Sequence, residues 1–169
     1  MAPRLDPTLA KLNFKAHRRA LVLDAPGEAG SLLAALVATA EVSTGARARG
    51  PFDFALVFLR ARRDVVRAAR AIALLGEDAV FWCAYPKQSS RRYASDLSRD
   101  VGWQPLGDLG FEPVRQVALD ADWSALRFRR AEHIGTMIRD PASALSKAGK
   151  RKAGAATDAR SRGPSGRKP

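Results

Sequence analysis

Between Pro51 and Lys87 the chain reads PFDFALVFLRARRDVVRAARAIALLGEDAVFWCAYPK, in which two unbroken apolar runs flank a stretch of helical periodicity. The runs, Phe54 to Leu59 and Ala79 to Tyr85, do not alternate with polar residues, as expected for short strands covered on both faces. Between them Val65, Val66, Ala69, Ile72 and Ala73 recur at helical spacing, whereas Arg63, Arg67 and Arg70 fall on another side. A strand, helix, strand unit of this length joins parallel neighbours in one sheet through a right-handed crossover. Gly76 is the expected helix stop.

The pattern continues in both directions. Residues 7 to 15 predict a short lead-in helix, and Ala20 to Leu23 a first buried strand. After the turn Asp24-Ala25-Pro26-Gly27, residues 28 to 38 predict an apolar helix packing through Leu32, Leu33, Leu36 and Val37, and a short strand follows at Glu41 to Ser43. Beyond Lys87 lies the polar, basic loop QSSRRYA. There Ser95 is placed to cap a helix beginning at Asp96, which Gly102 and Pro105 interrupt and Gly110 stops. Residues 111 to 129, FEPVRQVALDADWSALRFR, predict a hairpin turning at Asp120-Ala121-Asp122. Its second arm reads as an exposed edge, because Ser124, Leu126 and Phe128 alternate with Ala125, Arg127 and Arg129. The fold class is therefore α/β, a single three-layer domain with a mostly parallel open sheet and a C-terminal antiparallel hairpin.

Composition agrees with one globular domain: 46% of the 169 residues are apolar and 27% charged. The net charge of +12 changes the picture because of where it lies. From Asp140 to Pro169 eight Lys or Arg stand against two Asp, in a segment rich in Ala, Gly, Ser and Pro with no bulky apolar residue after Leu145. Such a segment cannot offset the entropy of ordering itself and reads as a disordered basic tail. The expected organisation is thus a lead-in over 1–18, the α/β domain over 19–130, a short helical or irregular extension over 131–139 and the tail over 140–169. The single cysteine, Cys83, falls in a buried strand, which excludes a disulfide framework and a thiolate metal cluster and fits a reducing cytoplasm. No signal-peptide core and no apolar run of about 18 residues is visible, so a soluble, cytoplasmic protein with no membrane partner is expected.

The central strand FDFALVFLRA, the strand end AYPK, the Gly-Phe turn before the last unit and the terminal hairpin resemble the Rossmann-like fold of class I S-adenosylmethionine-dependent methyltransferases, shortened between Glu41 and Pro51. More closely, AYPKQSS, SDLSRDVGW and PVRQVALDADWSALRFR resemble a family of small bacterial proteins of unknown function with a degenerate methyltransferase-like fold, over roughly residues 9 to 130. The resemblance implies S-adenosylmethionine as cofactor and a Gly-rich turn after the first strand. Here that stretch is Leu23-Asp24-Ala25-Pro26-Gly27-Glu28-Ala29-Gly30, and Ala25-Pro26 at the turn disfavours the cofactor, since proline removes a backbone donor. Glu41 stands at the start of the second strand, not at its end where a ribose would be held.

Ligands of open parallel sheets sit beyond the carboxyl ends of the strands. Asp24, Gly27, Lys87, Ser89 and Ser90 are the candidates there, suited to an anionic small molecule or a nucleotide. The structural alternative is a set of solvated loop charges. Arg99, Asp100 and Trp103 form a second polar group, readable equally as local ion pairing beside a core Trp. Arg115, Asp120 and Trp123 on the hairpin either border a pocket or cover the sheet edge. His17 and His133 lack partners at metal-ligand spacing, and neither a nucleophile elbow nor a phosphate-binding Gly-rich loop is present, so no catalytic residue and no metal site is assigned. In the tail, Lys147, Lys150, Arg151, Lys152, Arg160, Arg162, Arg167 and Lys168 are candidates for sequence-independent nucleic-acid contact, without aromatic residues for stacking. These readings favour a non-enzymatic domain binding an anionic small molecule, a nucleotide or a protein partner. The alternatives are a methyltransferase with an atypical cofactor turn and a nucleic-acid-associated accessory protein acting through the tail.

Overall fold

The computed structural model describes residues 4–45 and 47–161. Helix α1 spans Pro7–Lys11, β1 Arg19–Leu23, α2 Gly30–Val37, β2 Glu41–Ser43, β3 Phe52–Phe58, α3 Val65–Ala71, β4 Leu75–Pro86, α4 Gln104–Gly107, β5 Phe111–Ala118, β6 Trp123–Arg130 and α5 Lys147–Ser161. The sheet order is β2-β1-β3-β4-β6-β5. The first four strands are parallel, and β6 runs antiparallel to both β4 and β5. This is the α/β architecture expected from the unbroken apolar runs.

Both sheet faces are covered, and alternate residues of each strand go to opposite layers. Ala55, Val57, Phe81, Cys83, Leu126 and Phe128 pack with α3 and α4. Phe54, Leu56, Trp82, Ala84, Trp123 and Ala125 pack with α1 and α2. Asp6 caps α1 by accepting from the amides of Thr8 and Leu9, and Pro7 opens the helix. The end of α1 is tied to the sheet by Trp82, whose indole N–H donates to the Leu12 carbonyl at 2.8 Å.

Several local expectations are corrected. The inner faces of the helices are Leu32 and Leu36 on α2 and Val65, Ala68 and Ala71 on α3, while Val37 and Val66 are exposed. Ala73 is also exposed, because a tighter turn at Ile72–Leu74 rotates the end of α3. Gly76 lies within β4, not before it. No helix forms at 96–100: the Asp96 carboxylate accepts from the Arg62 amide at 2.7 Å and Ser95 Oγ accepts from the Leu97 amide, bonds that compete with a helical turn. Pro105 opens the short α4 instead of interrupting a longer helix. The hairpin arm at the sheet edge is β5, because β6 is inserted between β4 and β5.

The largest difference concerns the C-terminal segment. Over Lys147–Ser161 it is helical, against the expected disorder, and the reason is a buried carboxylate upstream. Glu112 on β5 is fully buried and accepts from the Leu145 amide, the Ser146 amide at 2.7 Å and the Ser146 hydroxyl at 2.9 Å. Ser146 Oγ in turn accepts from the Gly149 amide, capping α5. Arg139 lies 3.5 Å from the same carboxylate. A Cβ at Gly149 would collide with Glu112, so the absence of a side chain there lets α5 close onto the domain. Arg162, Arg167 and Lys168 lie outside the described residues.

Candidate functional site

The strand order reverses between β1 and β3, which places the ligand crevice of an open α/β sheet beyond their carboxyl ends. In this chain the crevice holds its own side chains. After β1 the backbone turns at Asp24, in the left-handed region at φ 56°, and a short helical turn at Gly27–Ala29 presents Glu28. Glu28 Oε1 accepts a short hydrogen bond from the Tyr93 hydroxyl and a second from the Trp123 indole N–H at 3.0 Å. The Tyr93 and Trp123 rings lie 5.0 Å apart, and Phe58 at the end of β3 meets Trp123 edge-on at 5.3 Å.

Cations surround this cluster. The Arg60 guanidinium stacks over the Tyr93 ring at 5.0 Å and that of Arg92 at 5.7 Å. Arg92 also lies 3.9 Å from both Glu28 and Asp122. The Tyr93 hydroxyl, then the Trp123 N–H and the backbone amide, with a smaller contribution from Arg92, hold the Glu28 carboxyl at about 2, well below its ordinary value. The same hydrogen bond raises the Tyr93 hydroxyl above its ordinary range. Glu28 is therefore an ionised acceptor whose hydrogen bonds fasten the 87–95 loop and the hairpin to the first turn.

The candidates read from the sequence divide between places. Lys87, Ser90, Asp120 and Trp123 do come together. Lys87 Nζ donates to the Asp120 carbonyl at 2.6 Å, Ser90 Oγ donates to Asp122 at 2.7 Å, and the Asp120 carboxylate accepts from the amides of Asp122 and Trp123. These bonds knit the loop to the hairpin turn. Asp24 faces outward to Arg67 at 3.2 Å, and Ser89 is exposed. A Cβ at Gly27 would meet nothing within 4 Å, so packing does not demand that glycine. Arg99, Asp100 and Trp103 lie on the other face of the sheet: Trp103 is buried against Tyr85 and Phe128 and donates to the Ser98 carbonyl, while Arg99 pairs with Asp100 at 3.3 Å in solvent. Arg115 stands opposite Arg127 in the β5–β6 ladder, three positions along β5 from the hairpin end.

Sequence reasoning missed Glu28 and Tyr93 as site residues. The available signals were an aromatic inside the basic loop and a carboxylate two residues after the turn proline. His17 is half-buried against Phe14 and Phe54, and burial lowers its pKa; His133 faces Asp78 at 3.3 Å. Among the described residues no group of three or more His, Cys, Asp or Glu side chains is placed to hold a metal ion. No helix among them is long and apolar enough to cross a membrane.

The crevice does not accommodate S-adenosylmethionine as it stands. The cavity left beside Glu28, Phe58 and Trp123 measures about 120 Å³, against roughly 300 Å³ or more for sites that enclose ligands of this size. Pro26 offers no backbone donor there.

No family model and no curated protein matches this chain. Among solved structures it is similar to a candidate type 11 methyltransferase from Sulfolobus solfataricus, with 12% identity, a TM-score of 0.49 and coverage of 72% of this chain and 88% of that one. It is also similar to the ribosomal protein L11 methylase from Lactobacillus delbrueckii subsp. bulgaricus, with 16% identity, a TM-score of 0.45 and coverage of 73% and 74%. A third is the N-methyltransferase NodS from Bradyrhizobium japonicum WM9, with 15% identity, a TM-score of 0.43 and coverage of 72% and 92%. By its own strand order and polarity the chain has a methyltransferase-like Rossmann fold, shortened between β2 and β3, and these likenesses concern fold alone.

Proposed function

We propose that this chain is a methyltransferase-like domain that works without S-adenosylmethionine, binding an anionic small molecule of the nucleotide class at the rim of its closed crevice. The observation that carries this reading is the Glu28–Tyr93–Trp123 cluster, which fills with the protein's own side chains the place where an α/β sheet binds its ligand. Against it Arg60, stacked on the Tyr93 ring, is exposed and makes no ion pair with a described carboxylate. Glu28 and Asp122, the carboxylates at the centre, already accept from Tyr93, Trp123 and Ser90. Guanidiniums suit phosphate oxygens in particular, and Arg60 is the cation of this cluster that no described carboxylate engages. On the same reading the chain belongs with the small bacterial proteins of unknown function that its loop and hairpin segments resemble, and works in the cytoplasm.

The test is calorimetric titration of the full chain with S-adenosylmethionine, S-adenosylhomocysteine and adenosine triphosphate. The expected result is no saturable binding of the first two at millimolar ligand, and triphosphate binding that weakens in Arg60→Gln and Arg92→Gln. One-to-one binding of S-adenosylmethionine would overturn the reading in favour of a methyltransferase with an atypical turn, which the strand order favours.

A further inference from the structure

Helix α5 carries its charge against its own stability. Lys147, Lys150 and Arg151 occupy its first turns, and no acidic residue accompanies them there. Positions three and four apart face the same way, so the three cations repel one another. They also stand at the helix end where the macrodipole disfavours positive charge. All three are exposed, and none forms an ion pair with a described residue. Lys152 differs: its ammonium donates to the carbonyls of Ala131 and Ile134, where it anchors the helix.

The helix is nevertheless fastened to the domain. Glu112 holds the start of α5 by accepting from Leu145 and Ser146, and Gly149 and Ala153 are buried against the domain. Beside the three cations runs a groove of about 630 Å³ between α4 and α5, in which Asp108 is the one carboxylate among the lining residues. That carboxylate accepts from Gln104 at 2.8 Å. The groove meets a second hollow of about 530 Å³, with Gln104, Leu145 and Lys150 shared between them; its lining adds Arg139, Arg99 and one further carboxylate, Asp100, which pairs with Arg99 at 3.3 Å. An extended trough bordered by cations at successive turns matches a chain of phosphates better than a single anion. Trp103, the aromatic in this trough, is 1% exposed and offers no face for base stacking.

We propose that the α4–α5 groove is a binding surface for the phosphate backbone of nucleic acid, with Lys147, Lys150 and Arg151 neutralising successive phosphates without reading sequence. The site lies in the layer opposite the Glu28 cluster, so its occupancy is separable from the fate of the crevice.

The experiment measures binding of the full chain to a fluorescent, mixed-sequence DNA duplex by anisotropy over a series of salt concentrations. The test variant is Lys147→Gln/Lys150→Gln/Arg151→Gln. A control, Lys11→Gln/Lys15→Gln/Arg18→Gln, removes equal charge from exposed residues of the opposite side. The test variant is expected to lose at least about tenfold in affinity at moderate salt and to flatten the log K against log salt slope by about 2 to 3, from a slope near 0.9 per phosphate neutralised. The control is expected to stay close to wild type, and Lys147→Arg/Lys150→Arg to retain binding. Equal losses in test and control would overturn the proposal by showing dependence on net charge alone. So would binding of polyglutamate through the same three residues with none of the duplex, which would assign the groove to an acidic protein.

Discussion

Oε1 of Glu28 accepts from the indole N–H of Trp123 at 3.0 Å, across 95 positions of sequence. This bond joins the first turn of the sheet to the last hairpin, and the Tyr93 hydroxyl completes it from the intervening loop. Three segments at the carboxyl ends of the strands thus share one carboxylate oxygen. A loop that would otherwise be free to open is pinned where a ligand of this fold class is bound.

The pH dependence of stability follows from that carboxylate. In the folded chain Glu28 is held at about 2 instead of its ordinary 4.5. Its contribution is therefore fully present above the ordinary value and is lost as pH falls from there toward 2. Denaturant unfolding of wild type and Glu28→Gln at a series of pH values checks this. Glu28→Gln is expected to be less stable at neutral pH, with the gap closing as the solution is acidified through that window.

Trp123 is 1% exposed and packs on Phe58 and Tyr93. Trp123→Ala empties a well-packed site and is expected to cost about 3–5 kcal/mol in equilibrium unfolding, as for other buried large-to-small changes. Trp123→Phe keeps most of the volume and loses the N–H, so its cost should be clearly smaller.

The latch on α5 has its own signature. Glu112→Ala leaves the buried Ser146 amide without its acceptor, at about 1–3 kcal/mol for a buried donor left unpaired, and the part-buried Leu145 amide with it. Gly149→Ala forces a methyl group against the same carboxylate. In both variants trypsin is expected to cut at Lys147, Lys150 and Arg151 faster than in wild type, while the fragment that contains the sheet persists. Mass spectrometry of a timed digest reads both quantities.

Cys83 lies in the centre of β4 with no exposed surface, and burial pushes its thiol well above the usual range. A chromogenic disulfide reagent is expected to leave the native protein unmodified and to label it stoichiometrically in denaturant. Rapid labelling under native conditions would show that β4 opens locally.

The main frame of the fold was legible in the residues because it rests on local patterns. Continuous apolar runs mark strands covered on both faces, and β1, β3 and β4 lie where those runs do. Asp120-Ala121-Asp122 marked the hairpin turn, and Gly110, at φ 86°, the turn into β5. Legibility failed where a side chain spends its hydrogen bonds at long range. Asp96 looked like the start of a helix, yet its carboxylate serves the Arg62 amide. The segment after Asp140 has too little apolar surface to order itself, and the partner that orders it is Glu112, more than thirty positions upstream.

The sequence by itself determined the α/β class, the hairpin and the burial of Cys83, because periodicity and turn chemistry act over a few residues. It also determined the net charge of +12 and its concentration toward the C-terminus. Only the tertiary structure decided that Glu28, Tyr93 and Trp123 fill the crevice, that Trp103 and Arg99 stand on the opposite face, and that Lys152 is an anchor while Lys147, Lys150 and Arg151 remain free of described ion pairs. Each of these depends on which distant segments the sheet brings within hydrogen-bond reach, and spacing along the chain carries no record of that distance.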